Sequence, residues 1–126
     1  MSDFYQNGVI TTLHNLSNRS LESLETELVK FSKSRPMSLV LPSLFSELEG
    51  IALPNIVDHL CQVPYLGEII VGLDRANEDE YRFALKFFER LPQSVKILWN
   101  DGPRLQALDK SLQEQGLAPR ELGKGR

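Results

Sequence analysis

From Met37 to Trp99 the chain alternates short apolar runs with stretches whose apolar residues recur at helical spacing. The runs are Met37 to Leu41, Glu68 to Leu73 and Val95 to Trp99, each of strand length and rich in Val, Ile and Leu. A run apolar at consecutive positions fits a strand covered by helices on both faces. Between the runs, Leu53, Ile56, Val57, Leu60 and Cys61, and then Tyr81, Ala84, Leu85, Phe88 and Leu91, fall three or four residues apart. That spacing sets one apolar stripe along a helix. The pattern predicts an α/β fold, a Rossmann-like three-layer βαβαβα with a mostly parallel sheet, preceded by an N-terminal helix.

The preceding helix is expected over Ser20 to Lys33, with Leu21, Leu24, Leu28 and Phe31 as its stripe and Ser20 as its N-cap. Pro54 and Pro103 suit the first turn of a helix, where the missing N–H has no intrahelical partner. Asn77 followed by Glu80 has the spacing of a capping box. Asn100-Asp-Gly-Pro103 reads as a turn, and Leu105, Leu108 and Leu112 mark a last helix that Gly116 stops. Pro42 is expected to end the first strand and open a polar loop running to Gly50. Gly8 to Leu13, rich in β-branched residues, reads as a short strand or an extended arm. The expected organisation is an arm and amphipathic helix over 1–36, then a Rossmann-like α/β unit over 37–126.

Composition narrows the functional classes. The 126 residues are 41% apolar and 25% charged, ordinary for a globular protein, with a net charge of −3. With no basic surplus there is no electrostatic footprint for nucleic acid. No apolar run approaches the ~18 residues that a membrane span needs, and the first residues lack the plan of a signal peptide, so a cytoplasmic protein is expected. The single Cys61 reads as a small buried hydrophobe on its helix. His14 and His59 are isolated, and neither makes a metal set with Cys61.

In parallel sheets ligands sit beyond the carboxyl ends of the strands, which directs attention to the residues after Leu41 and Leu73. No G-x-G-x-x-G follows the first strand, where the chain reads Pro42-Ser-Leu-Phe-Ser-Glu47, and no P-loop is present. What remains is Glu47 after the first strand, Asp74 after the second, and Lys124 between two glycines. Read blandly, Glu47 is a solvated or helix-entry carboxylate and Asp74 a turn-former. Read functionally, the two carboxylates accept hydrogen bonds from a base and a ribose, and the Gly-Lys-Gly turn meets a diphosphate.

The first run with Pro42-Ser-Leu-Phe-Ser-Glu47 resembles the strand, proline and Asn-Glu loop that opens GT-A glycosyltransferases. Ile69-Ile-Val-Gly-Leu-Asp-Arg-Ala-Asn-Glu-Asp79 resembles their second strand and Asp-rich turn, and Gly123-Lys-Gly125 their Gly-Lys-Gly. Over Met37 to Arg126 the chain resembles the amino-terminal part of a bacterial glycosyltransferase of this fold, closest to the glucosyl-3-phosphoglycerate synthase and mannosylglycerate-type relatives. The resemblance implies nucleotide-sugar contacts from Pro42, Ser43, Leu44, Glu47 and Asp74, and a phosphate contact from Lys124. Ser46 stands where the family usually has Asn.

It further implies a UDP- or GDP-linked donor, a small acceptor such as glycerate or phosphoglycerate, and divalent Mg or Mn in the complete enzyme. The Asp-x-Asp motif that holds this ion in the family is absent, so the chain is expected to be a donor-binding portion, binding no metal and inactive alone. The same comparison makes the first strand central in the complete sheet. Here it is expected to stand open at an edge and to promote self-association. A non-catalytic Rossmann-like binding or interaction module is the alternative. A receiver-like phosphoacceptor role for Asp74 is disfavoured by Leu41-Pro42 where an acidic pair would stand.

Overall fold

The computed structural model describes residues 19–117. His14, Lys124, the Gly8 to Leu13 stretch and the Gly-Lys-Gly turn lie outside the described residues. The elements are α1 (Leu21–Ser32), β1 (Met37–Leu44), α2 (Phe45–Leu48), α3 (Ala52–Leu60), β2 (Leu66–Asp74), α4 (Glu78–Phe88), β3 (Ser94–Trp99) and α5 (Pro103–Glu114). The three strands form one parallel sheet in the order β1-β2-β3, with β2 central. This is the α/β alternation expected, preceded by the expected helix.

Period-two alternation along the strands decides where the core lies. Leu39 and Leu41 of β1, Ile69, Val71 and Leu73 of β2, and Val95, Ile97 and Trp99 of β3 share one face. Leu48, Leu53, Val57, Ala84 and Phe88 from α2, α3 and α4 close over it as a single buried cluster. The opposite face carries Val40, Ile70 and Leu98, and there Val40 is 64% and Leu98 52% exposed. Helices were expected on both faces of β1; among the described residues only one is covered. The outer face nevertheless keeps the apolar character of a buried one.

Polar contacts join α3 to α4 and to the chain beyond it. Arg90 pairs with Asp58 at 3.2 Å, donates to the Pro54 carbonyl at 3.1 Å and stacks over Phe87 with its guanidinium carbon 4.7 Å from the ring centroid. The Gln93 amide donates to the carbonyls of Leu60 and Val63 at 2.7 and 3.0 Å, serving the C-terminal end of α3. Cys61, half-buried, turns its thiol toward the Arg90 carbonyl at 3.7 Å.

Several local signals act as read. The Ser20 hydroxyl accepts from the Ser23 N–H, and Asn77 and Glu80 form a reciprocal capping box, with N–H to carboxamide and N–H to carboxylate distances of 2.9 and 2.7 Å. Pro103 stands in the first turn of α5. Gly116 has φ +69°, and the Gly116 and Leu117 N–H groups donate to the carbonyls of Gln113 and Leu112, the paired bonds of a Schellman stop.

Other signals mislead. Pro42 does not end β1; the strand runs on to Leu44. β1 is an edge strand among the described residues, where a residue without an N–H can be accommodated. The expected loop to Gly50 is therefore a strand end and the short helix α2. Leu85 of α4, Ile56 of α3 and Leu108 of α5 stand exposed, so each stripe is wider than the surface that covers it. The stripes of α1 and α5 depart furthest, since no residue of either helix is buried.

Candidate functional site

Parallel pairing aligns the carboxyl ends of β1 and β2. Pro42 is opposite Gly72, Ser43 opposite Leu73 and Leu44 opposite Asp74, so four of the six expected site residues lie on two adjacent strand ends, ~4.8 Å apart across the pairing. Glu47 joins them because α2 starts directly after Leu44, and its carboxylate returns to accept the Leu44 N–H at 2.9 Å. This is one half of a capping box; Leu44 has no side-chain acceptor to supply the other. Five of the six residues are thus brought together, and Lys124 lies outside the described residues.

Two of the five are buried polar groups. Asp74 is 7% exposed, and its Oδ1 accepts the N–H of Arg75 at 3.1 Å. Ser43 is 2% exposed, and its hydroxyl has no hydrogen-bond partner among the described residues. A buried hydroxyl left unsatisfied costs about 1–3 kcal/mol. A hollow of about 130 Å³ opens beside them, lined by Val40, Pro42, Ser43, Ile70, Gly72, Asp74, Leu98 and Asn100. It is smaller than the roughly 300 Å³ of a complete small-molecule pocket. A wider hollow of about 580 Å³ lies between β3 and α5, lined mainly by Tyr81, Ile97, Leu98, Trp99, Leu105 and Leu108. It is apolar and carries no convergent set of titratable groups, so size alone does not make it the better site.

The turn after Asp74 is fixed from both sides. Ala76, 4% exposed, donates its N–H to Asp101 Oδ2 at 3.0 Å and accepts at its carbonyl from the Trp99 indole at 2.7 Å. Trp99 in turn stacks on Tyr81 with ring centroids 4.7 Å apart and planes 6° from parallel. Asn100 returns the end of β3 to β2 through its N–H on the Leu73 carbonyl at 2.9 Å. Inside this frame Arg75 has φ +54°, the left-handed region, at a cost of roughly 1–2 kcal/mol for a side chain of ordinary size.

Sequence reasoning assigned no site role to Arg75, Asn100 or Asp101. Asn100-Asp-Gly-Pro was read only as a turn, although its place after a strand end was the available signal. Arg75 gave none, since arginine is not a residue that marks positive φ. Among the described residues no three His, Cys, Asp or Glu side chains gather as metal ligands. No helix among them is long and apolar enough to cross a membrane.

No family model matches the chain, and no solved structure matches it significantly. Curated proteins do. A glucosyl-3-phosphoglycerate synthase of Persephonella marina is 51% identical over all 126 residues, and one of Methanococcoides burtonii is 30% identical over 115 residues, or 91% of the chain. The chain spans 31% and 28% of the lengths of these relatives. The family resemblance carried by the strand-end motifs therefore holds: over its whole length the chain is a homologue of one segment of the proteins named glucosyl-3-phosphoglycerate synthase.

Proposed function

We propose that the carboxyl ends of β1 and β2 form the nucleoside end of a nucleotide-sugar site, and that the chain is the N-terminal donor-binding portion of a glycosyltransferase. The observation that carries this is the register that sets Leu44 opposite Asp74 while Glu47 folds back onto the Leu44 N–H. Two carboxylates are then concentrated at the place where parallel sheets hold ligands, beside the buried Ser43, whose hydroxyl has no partner among the described residues. Carboxylates accept well from ribose hydroxyls and from the N–H groups of a base. Pro42 and Leu44 supply apolar surface beside them, and Lys124 supplies a cation for the phosphates.

The relatives' name, glucosyl-3-phosphoglycerate synthase, supports a glucosyl group and a phosphoglycerate acceptor, and the other roles extend the same proposal. The donor is a UDP- or GDP-linked sugar, and the acceptor is a small anion such as glycerate or phosphoglycerate. The divalent Mg or Mn of such an enzyme serves the complete protein, with ligands outside the residues described here. The chain alone performs no transfer, and the protein acts in the cytoplasm.

Calorimetric titration of the protein with UDP-glucose and GDP-glucose, each with and without Mn²⁺, tests the reading. Saturable binding of one nucleotide class is expected, weakened roughly tenfold or more by Asp74→Asn, which removes a charged acceptor. Binding of neither nucleotide sugar would overturn it and leave a non-catalytic interaction module as the better description.

A further inference from the structure

Arg75 is the one described non-glycine residue with a positive φ, and the fold gives no reason for its side chain. The backbone at this position favours glycine, with asparagine or aspartate next. The side chain is exposed and forms no hydrogen bond or ion pair among the described residues. Were the left-handed turn the only requirement, a glycine would meet it better. The reason for an arginine then lies in something the guanidinium meets outside the described residues.

Its surroundings indicate the chemistry. Three carboxylates stand at these strand ends, and each already accepts a backbone N–H: Glu47 from Leu44, Asp74 from Arg75 and Asp101 from Ala76. An anion entering there meets repulsion unless a cation offsets it. Arg75 lies one peptide from Asp74, with Cα atoms ~3.8 Å apart, in a turn whose Ala76 N–H and carbonyl are both tied down. The backbone that carries the guanidinium is therefore set before any ligand arrives, which reduces the ordering cost of binding. A planar guanidinium matches the oxygens of a phosphate in two parallel hydrogen bonds.

From this we infer that Arg75 is a binding residue for the diphosphate of a nucleoside diphosphate whose nucleoside rests on Asp74, and that the left-handed turn is retained to hold it. The inference rests on the nucleotide-sugar reading above and adds to it a second cation, separate from Lys124.

The test is equilibrium binding of uridine, UDP, guanosine and GDP to the protein and to Arg75→Gln, Arg75→Lys and Arg75→Gly, with thermal melting of each. For the nucleotide class that binds, Arg75→Gln should weaken the diphosphate roughly tenfold or more and leave the nucleoside unchanged. Arg75→Lys should fall between, keeping charge without the fork. Arg75→Gly should melt above the parent because strain is relieved, yet bind the diphosphate as poorly as Arg75→Gln, which a purely structural role would not produce. Equal diphosphate binding by parent and Arg75→Gln would overturn the inference alone. Failure of the parent to bind any of the four probes would overturn the nucleotide-sugar reading as well.

Discussion

The Trp99 indole N–H donates to the Ala76 carbonyl at 2.7 Å, so the last residue of β3 holds the turn that leaves β2. Because Ala76 also donates to Asp101, the turn bearing Asp74 and Arg75 is fastened at both ends to the segment after β3. Trp99→Phe retains an aromatic ring against Tyr81 but removes the donor together with the second ring. It should lower stability by about 1–2 kcal/mol, as one partly buried carbonyl loses its partner. Urea unfolding would measure the loss, and amide exchange at Ala76 and Asn77 should rise with it.

Gly102 is held by the same tryptophan. A Cβ there would stand 2.8 Å from Trp99 Cε3 and 3.0 Å from Cδ2, and the ring cannot retreat without leaving Tyr81. Gly102→Ala should destabilise the fold by about 1–3 kcal/mol and shift the tryptophan emission. A neutral effect on both would mean that the ring is not wedged between Tyr81 and the turn.

On the outer face of the sheet, Glu68 pairs with Lys96 across β2 and β3. The hydrogen bond from Lys96 is the main reason that its carboxyl titrates below the usual carboxylate range; desolvation opposes it, and attraction to the same ammonium and a hydrogen bond from Ser38 add smaller lowering effects. A carboxyl lowered in the folded state stabilises the fold above its unfolded pKa, and that contribution fades as pH falls through the folded value. The contribution is small because the pair is largely solvated. Urea midpoints from neutral pH down to about pH 3 should fall less steeply for Glu68→Gln than for the parent.

Much of the fold is legible because its signals are local. The Asn77 and Glu80 capping box needs only three residues of spacing, and the Gly116 stop only a glycine after a periodic run. Pro42 was misread because a proline interrupts a strand only where its N–H is needed, and edge status is a property of the sheet. Leu85 and Leu108 were expected inside because periodicity locates a stripe and says nothing of how wide a surface will cover it. The convergence of Pro42, Ser43, Leu44, Glu47 and Asp74 followed from parallel pairing and was open to prediction. The fastening of Ala76 by Trp99 and Asp101 was not, since those contacts join residues 23 and 25 positions apart.

Val40 and Leu98 leave apolar surface on the outer face of the sheet, whose β1 edge has no neighbouring strand among the described residues. Association through that surface is expected as protein concentration rises. Light scattering should show the mean mass increasing with concentration, and Val40→Lys with Leu98→Lys should return it toward the monomer. A monodisperse monomer of the parent at high concentration would contradict this.

Nucleotide binding at the strand ends is best tested by titrating the isotopically labelled protein with UDP and GDP and following the amides by NMR. Saturable shifts from one of the two are expected, concentrated on Ser43, Leu44, Glu47, Asp74, Arg75 and Asn100. Absence of shifts at millimolar ligand, or shifts confined to the hollow between β3 and α5, would contradict it.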